Sequence, residues 1–230
     1  MRLHIAIDGP VAAGKTTLGD ALAARLGILH LDTGAMYRAL GLTALRRGID
    51  TQDEQAMVDL CRKLMIAVKY GEDGQHTYAD GEDVTGLIRT PEVSKAGSTV
   101  SRYAEVRKIM VKLQQKLAAE TDMILDGRDI CTTVLPNAPV KIYLTAAVEE
   151  RARRRWLERQ RKGMPDTYEE VLQAVKERDY QDMNREVEPL RQTEDAVLMD
   201  TTNMTVDEEV EAVLKIVEEK RKGRGSLPIL

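Results

Sequence analysis

Large aromatic side chains are nearly missing from this chain: among 230 residues there is no Phe and a single Trp. The core therefore has to be packed from Leu, Ile, Val, Ala and Met. With 43% hydrophobic residues there is material for a sizeable one, so the chain is not a disordered one. Cysteine is also scarce. Cys61 and Cys131 are the two present; their spacing matches no metal-ligand pattern and suits a reducing compartment. No apolar stretch approaches the ~18 residues that a membrane span needs. Asp8 interrupts a very short apolar run near the start, so no secretory leader is expected and a cytoplasmic location is. Neither an internal repeat nor a long low-complexity segment is present. The formal net charge of −4 argues against a general nucleic-acid binder and against a membrane-surface protein. The length suits one α/β domain with insertions better than two independent domains.

What the chain does have is Gly9-Pro10-Val11-Ala12-Ala13-Gly14-Lys15-Thr16-Thr17, which fits G-x-x-x-x-G-K-[ST], the phosphate-cradling loop of nucleotide-binding α/β proteins. The context fits too. Leu3 to Asp8 reads as a buried strand, and Leu18, Ala21, Leu22 and Leu26 recur at helical spacing behind the loop. Gly9 and Gly14 permit a tight turn and close approach of backbone to phosphate oxygens. Backbone N–H groups then form an anion nest at the positive end of the following helix. Lys15 supplies a charge for the terminal phosphates, and the Thr16 hydroxyl suits direct contact with Mg²⁺. The loop predicts a bound nucleoside triphosphate without saying what is done with it.

Along the chain, residues 28–32 read as a second strand, followed by a helix from Ala35 to Arg47 with Thr33 as its N-cap; Tyr37 and Arg38 fall in its first turns. Residues 53–65 form an amphipathic helix. The texture then changes to strand, turn, strand, turn between Ile66 and Asp83, which reads as an inserted antiparallel subdomain. Thr90-Pro91 starts a helix, broken near Ser101–Tyr103 and resumed to about Ala119. Further strands are expected at 123–125, 140–144 and 197–200, and a last helix, with a Thr205/Glu208 capping box, reaches about Lys222. Lys220 to Arg224 form a solvated, frayed tail. Five short apolar strands separated by helices predict a parallel sheet with helices on both faces. Asp8, Asp32, Asp126 and Asp200 fall at or beside strand ends, where such sheets bind ligands. Asp8 and Asp126 are candidates for the water shell of Mg²⁺.

Glu149 to Lys162 is rich in arginine, and Arg151, Arg155 and Arg159 share one helical face. Beside a triphosphate such a face has a use, because a loose phosphoryl-transfer transition state spreads charge that guanidiniums stabilise. In the next helix Arg178, Asp182 and Arg185 also share a face.

Taken together, Gly9 to Thr17, Asp32-Thr33-Gly34-Ala35-Met36-Tyr37-Arg38, Ile88-Arg89-Thr90, Asp126-Gly127-Arg128-Asp129, Lys176-Glu177-Arg178-Asp179 and Asp182-Met183-Asn184-Arg185 resemble, in order and over nearly the whole chain, the bacterial cytidylate kinases. The resemblance implies a single P-loop kinase domain over residues 1–230, with a nucleoside-monophosphate subdomain inserted at 66–90 and an Arg-rich helical lid at 148–166. It implies transfer of the ATP γ-phosphoryl group to CMP or dCMP with Mg²⁺, in pyrimidine nucleotide metabolism, by a monomer. By match, Ser98, Arg107 and Asp129 read the cytosine, and Arg38, Arg128 and Arg185 clamp the acceptor phosphate. Arg178 and Asp182 contact sugar and phosphate, with Thr33 and Tyr37 beside them. Lys15, Arg128, Arg151 and Arg155 are the expected catalytic charges. Two departures stand out: Cys131 occupies a position where the family usually has Gly, and Val11-Ala12 replaces the commoner Ser-Gly pair. A kinase for another small acceptor would differ at Ser98, Arg107 and Asp129. A GTP-dependent switch would carry an Asn-Lys-x-Asp base reader, and the sequence has none.

Overall fold

The computed structural model describes residues 2–222; Gly223 and Arg224 of the expected tail lie outside them. In chain order the elements are β1 (His4–Asp8), α1 (Lys15–Leu26), β2 (Leu29–Asp32), α2 (Thr33–Arg46), α3 (Glu54–Lys63), β3 (Ile66–Gly71), β4 (Gly74–Ala79), β5 (Glu82–Asp83), α4 (Pro91–Val100), α5 (Ala104–Ala118), β6 (Met123–Gly127), β7 (Val140–Thr145), α6 (Val148–Arg161), α7 (Tyr168–Asn184), β8 (Val197–Asp200) and α8 (Val206–Lys222), with a π-helical turn at Ile130–Val134.

Five strands form a parallel sheet in the order β2-β6-β1-β7-β8. Alternate residues of the strands face opposite sides, and each side is covered. Ile5, Ile7, Ile124 and Ile142 pack with Leu18 and Leu22 of α1 and Val210, Val213 and Val217 of α8. Ala6, Leu31, Met123 and Leu125 pack with α2, α3 and α5 through Met36, Leu40, Met57, Val106 and Met110. Methionine and branched aliphatics thus fill the core that phenylalanine does not. The register sets Asp8 beside Gly127 and Asp32 beside Asp126, so three strand ends open on one cleft.

Several local expectations need adjustment. The N-cap of α2 is Asp32, whose Oδ1 accepts from the Ala35 N–H at 3.1 Å; the Thr33 hydroxyl donates instead to the Asp126 carbonyl at 2.7 Å. Aspartate caps as well as threonine does, so sequence could not separate neighbours. The turn expected at Asp80–Asp83 contains a third short strand, giving an antiparallel sheet β3-β4-β5. The helix expected to reach Arg185 ends at Asn184, with Arg185 in extended backbone. The inserted sheet is tied to the main body at Asp32, whose N–H donates to Gln75 Oε1 at 2.7 Å. Helices α6 and α7 form a hairpin with a small core of their own, Ala152, Val171 and Val175, against which Trp156, Tyr168 and the loop residue Val11 pack. No described helix is long and apolar enough to cross a membrane.

Candidate active site

The glycine loop joins β1 to α1. A Cβ on Gly9 would lie 1.9 Å from the Leu144 carbonyl oxygen, so no other residue fits there. Gly14 caps α1 with φ 94°, in the left-handed region. Ala12 is also left-handed, at φ 58°, where a Cβ costs roughly 1–2 kcal/mol. This is one of the two positions that depart from the commoner Ser-Gly pair. The Lys15 ammonium is almost fully buried and donates to the carbonyls of Gly9 (2.8 Å) and Pro10 (2.7 Å). Burial, and next the Arg128 charge, pull its pKa down to about 7. Thr16 Oγ1 donates to Asp126 Oδ2 at 3.1 Å. Beneath them His30 bridges Asp20 (2.7 Å) and Asp126 (3.2 Å). Burial opposes its charge, but those two carboxylates prevail and raise its pKa to about 10.

One open cleft of about 550 Å³ takes in Val11 to Thr17 at one side and Thr33, Tyr37, Arg38, Ser98, Arg107, Arg128, Asp129, Arg178 and Arg185 at the other. The sequence-predicted residues on six separate segments are therefore brought together. Three carboxylates hold the guanidiniums in place. Asp32 pairs with Arg38 (2.6 Å) and lies 4.0 Å from Arg89. Asp182 accepts from Arg128 Nε (2.7 Å) and Arg178 Nε (3.0 Å). Burial would raise the Asp182 carboxyl, but those two cations hold it at about 2. Asp129 pairs with Arg107, and Arg185 stands 3.6 Å away. The positive charge is still in surplus. Burial first, then the neighbouring Arg128 and Arg38 charges, lower the pKa of Arg178. Arg38 Nε is buried without a hydrogen-bond partner. A buried N–H left unpaired costs ~1–3 kcal/mol, so this end of the cleft is built for an anion.

Not every expected residue lines the cleft. Asp182 lies behind Arg128 and Arg178 as their counter-charge. Asp8, expected at a metal's water shell, is fully buried; its carboxylate accepts from the N–H groups of Ile130 (2.9 Å) and Cys131 (2.7 Å) and so anchors the π-helical turn. Cys131 supplies one of those donors through its main chain, which any residue but proline would do. Arg151, expected to reach the triphosphate, is buried behind the loop: it donates to the Val11 carbonyl (3.0 Å), the Ala146 carbonyl (2.9 Å) and Asp179 (2.6 Å). Asp179 also accepts from the Val11 N–H at 3.1 Å. Arg159 pairs with Asp166 at 2.7 Å. Of the stripe 151, 155, 159, only Arg155 lines the cleft, and Arg154 joins it. Sequence reasoning missed Arg154, Asp20 and Arg89 as cleft residues. Arg154 was visible as one of a run of arginines, but helical spacing does not say which face meets the loop.

For magnesium, the donors present are oxygens: the Thr16 hydroxyl and the Asp126 carboxylate, already within hydrogen-bond distance of each other. Among the described residues no group of three or more His, Cys, Asp or Glu is placed to hold a metal ion. This suits a hard cation that arrives on phosphates and keeps most of its waters, rather than one caged by protein.

A glycine loop after the central strand of a parallel sheet, faced across one cleft by part-buried arginines, defines a phosphotransferase of the phosphate-loop class. The family model for cytidylate kinase matches residues 5–219, and the chain belongs to that family. It is 48% identical over 215 residues to the cytidylate kinase of Caldicellulosiruptor bescii, covering 94% of this chain and 95% of that one. With the cytidylate kinase of Enterococcus faecalis it shares 47% over 219 residues, covering 95% and 97%. Among solved structures, an uncharacterized protein from Eubacterium ventriosum superposes with a TM-score of 0.51 at 13% identity, covering 95% of this chain and 99% of that one, a likeness of fold alone.

Proposed function

We propose that this enzyme transfers the γ-phosphoryl group of ATP to CMP or dCMP, giving ADP and CDP or dCDP. The observation that carries the reading is the pairing, within one cleft, of the anion nest at Val11–Thr17 with the part-buried guanidiniums of Arg38, Arg128 and Arg178 opposite it. The donor's phosphates lie in the nest, with the Lys15 charge raised again by their approach. The acceptor phosphate lies against Arg38, Arg128, Arg178 and Arg185. Lys15 and Arg128 already sense each other's charge, so the two phosphates meet between them. The attacking oxygen is anionic as it arrives, so no general base is needed, and catalysis consists of alignment and charge neutralisation. When bound at Thr16 and Asp126, magnesium supplies further charge neutralisation on the phosphate oxygens. Arg154 and Arg155 on α6 face the donor's tail, and closure of the 148–166 segment over it excludes water that would hydrolyse ATP.

The base lies toward Ser98, Arg107 and Asp129. A carboxylate accepts from the 4-amino group of cytosine, and a guanidinium donates to its ring acceptors. Thr33 and Tyr37 form the adjoining floor. The test is a coupled assay with ATP and magnesium against the full set of ribo- and deoxyribonucleoside monophosphates. CMP and dCMP turning over with the highest kcat/KM is the expected result. Highest turnover of a purine nucleotide, or none of any of them, would refute the reading.

A further inference from the structure

We propose that Glu188 is a specificity-positioning residue: by sharing Arg107 with Asp129, it leaves one Asp129 oxygen free for the 4-amino group of the acceptor base. The proposal rests on the acceptor reading given above and adds to it a residue outside the cleft. Glu188 does not line the cleft, whereas Arg107 and Asp129 do. It reaches Arg107 from the other side, accepting from Nε at 2.9 Å, and Nη2 also stands 2.9 Å from it.

The donors of Arg107 explain why this matters. The side chain is buried, and one of the two Nη1 N–H groups donates to the Ser101 carbonyl at 3.1 Å. Nη2 goes to Asp129 Oδ2, and the Nε edge goes to Glu188. Asp129 Oδ1 makes no hydrogen bond to a described residue; Arg185, at 3.6 Å, is beyond bonding distance. A guanidinium with an open Nε edge takes a carboxylate in bidentate fashion. Without Glu188, Arg107 would draw both Asp129 oxygens onto itself and leave none for an amine.

Glu188 is held for this job. Its backbone is left-handed, at φ 50°, a region that costs a residue with a Cβ ~1–2 kcal/mol. Its carbonyl oxygen accepts from Arg185 at both Nε (2.7 Å) and Nη2, which fixes the turn. Two cations, Arg107 and Arg185, are thereby matched by two anions, Asp129 and Glu188. Removing Glu188 leaves a surplus positive charge beside the base. That favours a carbonyl at position 4, as in uracil, over the amine of cytosine.

The test compares wild type, Glu188→Gln and Glu188→Ala with CMP, UMP and ATP as varied substrates, alongside thermal unfolding. The expected result is a graded one. KM for CMP rises roughly 3-fold in Glu188→Gln, which keeps an acceptor oxygen, and ~10-fold in Glu188→Ala. The CMP-over-UMP ratio of kcat/KM falls in the same order, while KM for ATP stays within about twofold. Should Glu188→Ala not fold, the Glu188→Gln result decides alone. An unchanged CMP-over-UMP ratio in the variants, or equal rises in KM for CMP and ATP, overturns the proposal and leaves the kinase reading standing. A wild type that does not prefer CMP overturns both.

Discussion

The two ends of the cleft are made in different ways. The donor end is nine consecutive residues, and its binding groups are main-chain N–H donors fixed by a strand and a helix. The acceptor end is side chains from α2, α4, α5, the end of β6, α7 and the residue just beyond it, and Arg38, Arg107, Arg128 and Arg178 are each paired with a carboxylate. One end is rigid because of its covalent path. The other is rigid because of charge pairing: Asp32 for Arg38, Asp182 for Arg128 and Arg178, and Asp129 with Glu188 for Arg107. Damage at the donor end should therefore remove turnover outright, and damage at the acceptor end should first change which substrate is held and how tightly.

The largest effect is expected at Lys15. Lys15→Ala should lower kcat by roughly 10³-fold or more, on the scale of losing a preorganised charge at the transition state, while the circular dichroism spectrum stays that of the wild type. Next comes Arg178→Ala, which removes one of four guanidiniums at the acceptor phosphate. It should cost roughly 10²-fold in kcat/KM for CMP with KM for ATP nearly unchanged, a split that initial-rate kinetics resolves.

Asp182 sharpens the comparison through pH. Its folded pKa of about 2 lies below the ordinary 3.8 because the Arg128 and Arg178 charges outweigh burial. A depressed carboxyl contributes stability above the unfolded value and loses it as pH falls through the folded one. The wild type should thus lose about 2 kcal/mol from this group between pH 4 and 2, roughly the shift converted to free energy. Asp182→Asn should be weaker at neutral pH by a similar amount and show a correspondingly shallower loss in urea titrations across that window. The smallest effect is at Ala12. Ala12→Gly relieves a left-handed alanine against a modest entropy cost, for a net gain of ~0.5–1 kcal/mol in chemical unfolding.

The same contrast explains what could be read from sequence. The glycine loop was legible because its chemistry is contiguous, and the strands because each is a short apolar run between breakers. Arg107, Arg128, Asp129 and Arg178 were found through resemblance of short segments, since nothing local in an Arg on a helix says that it faces a cleft 70 residues away in sequence, roughly the separation between Arg107 and Arg178. Arg151 and Arg154 show the limit. Spacing put Arg151 on a stripe with Arg155, but Asp179 of α7 and the Val11 carbonyl claim Arg151 from behind the loop. The partner, not the period, decided its role. Asp8 illustrates the same point: a strand-end carboxylate is as ready to cap a π-helical turn as to face a metal.

The central claim is that donor and acceptor occupy adjoining pockets of one cleft at the same time. It is tested most directly by inhibition with adenosine and cytidine joined through a polyphosphate bridge. The account predicts competition against both ATP and CMP, with binding tighter than either alone. Competition against only one of them would contradict it.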